Sequence, residues 1–172
     1  MISTPSLDLV LVPPALATSL IDGDLPSATS LADFIIPRNL LDLISLDLFR
    51  LRRDQVVRDP SWAPWSLRAV VLRQTRQMIG HANFHGPPGV NDTGTTGAAE
   101  IGYTIFPQFR NRGYATESAR AMIDWANRQH NVRHFISGIA PDNRASLRVN
   151  EKLGFVATGQ IVDGELIFEL RL

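Results

Sequence analysis

A mixed α/β or α+β domain, built on a sheet that is not wholly parallel, is the fold class that this sequence predicts. Three observations lead there. Strand-like and helix-like segments alternate only in the second half of the chain, which argues against a fully parallel sheet. Residues 100–106 alternate strictly, with Ile101, Tyr103 and Ile105 on one face and Glu100, Gly102 and Thr104 on the other. Ala119, Met122, Ile123 and Ala126 then recur at i, i+3, i+4 and i+7, the signature of a helix with one apolar face, over about residues 116–128. With 172 residues and a hydrophobic fraction of 44%, the chain is long enough for one well-buried core, and residues 1–172 are expected to form a single domain.

The remaining elements follow in order. Leu7 to Val12 reads as a strand, and Pro13-Pro14 suits the first turn of a helix ending near Asp22-Gly23. Leu41, Ile44, Leu48 and Leu51 sit at helical spacing, with Asp42, Asp47 and Arg50 for the wet side, predicting a second helix from Arg38 to Leu51. Pro60 to Trp65 reads as a loop, followed by strands over 67–72 and 77–84 joined by a turn at 73–76. Residues 86–97, rich in Gly, Pro, Asn, Asp and Thr, form a long surface connection. After the helix at 116–128 come a strand at 133–139, a helix capped by Asp142 or Asn143 and closed by Gly154, and strands at 155–157 and 165–170.

Composition excludes several classes of function. Seventeen basic residues balance seventeen acidic ones, so no broad positive field exists to hold a nucleic-acid backbone. The absence of cysteine removes disulfides, thiolate nucleophiles and cysteine-based metal sites. His81 and His85 would lie on one strand face roughly 13 Å apart, too far for one metal ion. Met1 to Leu11 carries no basic residue, and its apolar stretch stops at Pro13-Pro14. No signal peptide, spanning helix or membrane partner is therefore expected, and the location expected is cytoplasmic.

The segment richest in chemistry is Arg110-Asn111-Arg112-Gly113-Tyr114-Ala115-Thr116, a basic turn between the clear strand and the amphipathic helix. A helix start offers unpaired N–H groups and partial positive charge, which suits a phosphate; a solvated loop would look much the same. No Gly-Lys-Ser/Thr makes it a nucleotide P-loop, and no G-x-G-x-x-G makes it a dinucleotide site. Arg110-x-x-Gly113-x-Ala115 resembles instead the Q/R-x-x-G-x-G/A pyrophosphate loop of the GNAT acetyltransferases. Glu100-Ile101-Gly102-Tyr103, Tyr114 to Glu117, Asn143-x-x-Ser146 and Glu151 to Phe155 resemble the RimJ/RimL-like branch, which acetylates ribosomal-protein N-termini. Upstream, Gly80 and Phe84-His85-Gly86-Pro87-Pro88 are also similar.

The resemblance implies a mostly antiparallel sheet of about six to seven strands with about four helices and a splayed parallel pair at its centre. It also implies acetyl-CoA as cosubstrate, with no metal. Carrier-binding residues would be Ile105, Phe106, Arg110, Asn111, Arg112, Gly113, Tyr114, Ala115, Thr116, Asn143 and Ser146. Ser146 would protonate the departing thiolate, against the plainer reading of an exposed helix serine, and Asn143 serves equally as a helix cap. Glu100 is the candidate general base, its rival reading being a solvated edge carboxylate. Glu117 is explained by the helix dipole. Trp62 and Trp65 roof the acceptor cleft or cap the core, and Asp22, Asp24 and Asp33 attract a cation or are solvated loop acids.

The acceptor would be a primary amine, of a small molecule or of a peptide or protein N-terminus, attacking the thioester directly. An N-terminal amine with pKa ~8 is about a tenth neutral at pH 7, whereas a lysine near ~10.4 is neutral below one part in a thousand, a gap of ~3 kcal/mol. A carrier-binding sensor without activity and an amino-sugar or aminoglycoside acetyltransferase share the same motifs. Monomer and homodimer are equally compatible with the sequence.

Overall fold

The computed structural model describes residues 1–172. Its strands are β1 (Ile2–Ser3), β2 (Leu7–Leu11), β3 (Arg68–Leu72), β4 (Met78–Phe84), β5 (Ala99–Ile105), β6 (His134–Ile139), β7 (Val156–Val162) and β8 (Glu165–Arg171). The helices are α1 (Pro14–Ile21), α2 (Leu25–Leu31), α3 (Leu46–Arg58), α4 (Tyr114–His130) and α5 (Arg144–Leu153), with short 3-10 turns at Leu40–Asp42, Pro60–Trp65 and Pro107–Phe109. All strands join one sheet in the order β1-β2-β3-β4-β5-β6-β8-β7.

Every neighbouring pair runs antiparallel except β5 and β6. That parallel pair is brief, holding only Ala99 opposite Phe135 and Glu100 opposite Ile136. Beyond Glu100, β5 stays paired to β4 as far as Ile105, while β6 follows β8 as far as Ile139. Each strand keeps its own antiparallel partner, so the two part and leave a V whose crotch is Glu100.

Both faces of the sheet carry a core. Ala119, Met122, Ile123 and Ala126 of α4 lie against Ile79, Ala82, Phe84, Ile101 and Ile105, and a fully buried Ile or Met side chain contributes about 1.5–3 kcal/mol. On the other face Leu16, Leu20 and Phe49 pack on Ala69, Val71 and Met78. The Glu117 carboxylate, beyond its place in the first turn of α4, accepts hydrogen bonds from Thr4 Oγ1 at 2.6 Å and Ser6 N at 2.9 Å, tying the start of the chain to this helix.

Several expectations need correction. The sheet has eight strands, because the two-residue β1 is too short for a periodicity to show. The helix expected over 38–51 starts at Leu46, where the Ser45 side chain accepts from Leu48 N. Its buried face is Phe49, Arg52 and Val56, while Leu41 and Leu51 are 40% and 51% exposed. A charged residue on the buried stripe defeats a reading by hydrophobic spacing. Helix α2 was not expected in this Pro- and Ser-containing stretch; with Asp24 capping Ser27 N, Pro26 falls in the first turn, where it is tolerated. Residues Pro60–Trp65 wind as 3-10 turns rather than open loop. No helix is long and apolar enough to cross a membrane.

Candidate active site

The V between β5 and β6 opens into a cleft of about 450 Å3 lined by Tyr103 to Ile105, the turn into α4, and one side of α5. Arg110, Arg148 and Lys152 line it, and no carboxylate does. The turn bends through Asn111 (φ 61°) and Gly113 (φ 84°), both left-handed. No side chain caps α4 at Gly113, and the first N–H of its first turn to bond back is that of Glu117, to Gly113 O. The N–H groups of Tyr114, Ala115 and Thr116 therefore remain available at the positive end of a 17-residue helix. A Cβ at Gly113 would meet nothing within 4 Å. The protein does not fill that space, and the backbone stays open to close approach by an anion.

Of the residues expected to hold the carrier, Ile105, Arg110, Asn111, Gly113, Tyr114, Ala115, Thr116, Asn143 and Ser146 line this cleft. Phe106 and Arg112 do not. Phe106 is fully buried in the core beneath α1 and α3, one residue past the end of β5 and on the opposite face from Ile105. Arg112 is exposed, its guanidinium 6.0 Å from the Phe109 ring centroid. Arg110 folds back, its Nε donating to Ile105 O at 2.9 Å, which pins the turn to the end of β5.

At the α5 end of the cleft, Asn143 caps the helix through its Oδ1, which accepts from Ser146 N at 3.1 Å. The Ser146 hydroxyl neighbours that of Tyr103, a cleft residue that the sequence placed on the Ile101–Ile105 face of the strand and gave no role of its own. No well-formed hydrogen bond reaches the buried Tyr103 hydroxyl. Burial raises its pKa, and the proximity of Ser146 opposes this only in part. A buried tyrosine hydroxyl normally finds a partner, and strand alternation alone gave no sign that this one would lack it.

Glu100, at the crotch, is 2% exposed. Its Oε2 accepts from Asp92 N at 2.7 Å and lies 3.5 Å from His85 Nδ1, which in turn sits 3.3 Å from Asp92 Oδ1. Its Oε1 receives no hydrogen bond from the protein. Burial is the main reason its carboxyl pKa is raised; the charges of Asp92 and Glu165 add to the rise, while the His85 ring and the Asp92 N–H oppose it. On the same face stand Arg52, whose Nη1 donates to His85 O, and His81, packed edge-on at 5.5 Å from the Phe49 ring. His85, Asp92 and Glu100 place potential metal ligands within 4.8 Å of one another. Their mutual hydrogen bonding accounts for that grouping without an ion.

The acetyltransferase (GNAT) domain model matches residues 45–156, most of a chain of 172 residues. This chain belongs to the GNAT acetyltransferase family. Among curated relatives it is similar to an uncharacterized N-acetyltransferase, YnaD, of Bacillus subtilis, at 32% identity over 90 residues, covering 52% of this chain and 49% of the relative. The chain thus spans about half the length of the curated relatives it matches. Two solved structures share the fold. One is a ribosomal-protein-S5-alanine acetyltransferase from Vibrio fischeri, with TM-score 0.63, 17% identity and coverage of 98% and 94%. The other is RimL, the ribosomal L7/L12 alpha-N-protein acetyltransferase in complex with coenzyme A, with TM-score 0.62, 18% identity and coverage of 100% and 97%.

In this GNAT chain most of the remaining tryptophans, acids and histidines make structural contacts. Trp65 is buried against Phe84 and Trp125, and Trp62 packs where a Cβ on Gly86 would come within 2.9 Å of its ring. Asp24 caps α2, and Asp33 pairs with Arg76 at 3.1 Å. His134 contacts Glu169 at 2.9 Å, and His130 lies against Trp65 and Trp125. Asp22 stays exposed at the end of α1.

Proposed function

We propose that this GNAT chain is a single-domain acetyl-CoA-dependent N-acetyltransferase acting on a primary amine, with a peptide or protein N-terminus as the acceptor to test first. One observation carries the reading: β5 and β6 part at Glu100, the freed end of β5 lines a cleft bearing three cations and no carboxylate, and the parting point itself holds a buried carboxylate whose Oε1 takes no hydrogen bond from the protein. The residues fit a diphosphate carrier. The N–H groups of Tyr114, Ala115 and Thr116 would hold the pyrophosphate with Arg110 alongside, and the freed edge of β5 would pair with the pantetheine amides. Acetyl-CoA supplies the activated thioester.

Glu100 Oε1 takes a proton from the ammonium, and the neutral nitrogen attacks the thioester carbon. The carbon–sulfur bond breaks as Ser146 gives its proton to the leaving thiolate, the acylated nitrogen sheds its second proton, which restores the serine hydroxyl by way of solvent, and Glu100 returns its own proton to solvent. The raised pKa of Glu100 makes it a better proton acceptor near neutrality, and it suits an N-terminal amine, which gives up its proton ~3 kcal/mol more easily than a lysine. The shared fold with the two ribosomal-protein acetyltransferases supports trying peptide acceptors first.

The test is thiol release from acetyl-CoA in the presence of alanine- and serine-initiated tetrapeptides, glucosamine and an aminoglycoside. Turnover of the peptides supports the reading as stated. Turnover of the sugars alone moves the acceptor to the small-molecule class, and tight carrier binding with no acceptor turned over would leave a coenzyme A sensor.

A further inference from the structure

Oε1 of Glu100 points to a gap that exists because residue 138 of β6 is glycine. A Cβ built at Gly138 would stand 3.5 Å from Glu100 Oε1 and 2.5 Å from Glu165 Oε2. One small group in that gap therefore reaches both carboxylates. Glu165, the exposed first residue of β8, arrives there because β8 runs antiparallel to β6, with Ile167 opposite Gly138. Any side chain at 138 would displace its carboxylate. Glu100 is 2% exposed, yet its Oε1 takes no hydrogen bond from the protein and is not sealed off from solvent, so a small donor can reach it from outside.

We propose that Glu165 is a second carboxylate of the acceptor site, seating the incoming primary ammonium between its Oε2 and Glu100 Oε1 before Glu100 removes a proton. This rests on the acetyltransferase reading above and adds the acceptor's charge state and its seat. A primary ammonium has three N–H donors: one goes to each carboxylate, and Glu100 takes one of those protons as the nitrogen turns to the thioester carbon. Glu165 moves no proton and is a positioning residue. The groups facing Glu100 are His85 at the end of β4, Asp92 in the connection before β5, Arg52 of α3 and Glu165 of β8. Arg52 offsets part of the acidic charge, so the seat prefers one ammonium to a polycation.

The test uses ethylammonium chloride as probe, following the side-chain carboxyl carbon signals of Glu100 and Glu165 by NMR. Wild type should show saturable shifts with ethylammonium and none with tetramethylammonium, which has no N–H. Glu165→Gln, at an exposed position, should weaken that binding about tenfold, the effect of losing one charge-assisted hydrogen bond. Gly138→Ala should do the same by evicting the carboxylate. With the fastest acceptor, Glu165→Gln should raise KM about tenfold and leave kcat within about threefold, whereas loss of the base would lower kcat. Coenzyme A affinity should not change. If ethylammonium shifts neither signal, or shifts them equally in Glu165→Gln, the proposal is wrong. Should the probe bind as described while no amine is ever acetylated, the seat stands and the acetyltransferase reading falls.

Discussion

On the α4 and α5 side of the point where β5 and β6 part, the protein presents Arg110, Arg148, Lys152 and free backbone N–H groups without a carboxylate. On the α3 side it gathers Glu100, Asp92 and Glu165 around a gap left by Gly138. On the proposed function, charge of opposite sign on the two faces would sort a polyanionic carrier from a cationic acceptor by their own chemistry, and the two would meet at the crotch.

The largest effect should come from removing the one group that serves the meeting point. Glu100→Gln keeps an oxygen for the Asp92 N–H and should lower kcat about 10²–10⁴-fold with coenzyme A affinity unchanged. Because burial raises the folded-state pKa of Glu100, the native state holds its proton more tightly than the unfolded chain, and stability falls as pH rises from the ordinary glutamate range through that raised value. The variant should therefore melt higher than wild type at pH 7 by calorimetry. Lower melting with intact activity would break the contrast between the faces.

His81 on the acceptor face works in the opposite sense. Burial lowers its pKa to about 4. The unfolded chain binds a proton there below about 6.5 and the native state does not, so stability is complete above pH 6.5 and is lost as pH falls toward 4. The full window is worth roughly 3 kcal/mol. His81→Leu should flatten that acid limb in urea titrations across pH 4–7, leaving the opposing trend from Glu100 exposed. Smaller still, Arg148→Ser or Lys152→Ser on the exposed rim of the cleft should weaken coenzyme A several-fold at most and reduce the salt dependence of binding, with acceptor KM unmoved.

The regions differed as much in legibility as in charge. The β5–turn–α4–β6–α5 unit could be read from sequence because its determinants are local: strict alternation in β5, a helical apolar stripe in α4, and Asn143 and Gly154 bracketing α5. The cleft residues come from that unit, so most were visible. The acceptor face was not. Glu165 is separated from Glu100 by most of the second half of the chain and reaches it only through the β6–β8 register. Asp92 lies in a connection with no periodicity, and Arg52 hides a charge on the buried side of α3. The Phe106 side chain leaves the cleft for a simpler reason: one residue on from Ile105, the alternation of the extended chain sends it to the opposite face.

The measurement that bears most directly on the account is a calorimetric titration of coenzyme A into wild type and into Gly113→Glu. At φ 84°, a non-glycine residue costs the fold about 1 kcal/mol, while its side chain enters space the protein leaves empty. Saturable binding to wild type, with no detectable heat from a folded variant, is the predicted result. Equal affinity in both proteins, or no binding by either, would contradict it.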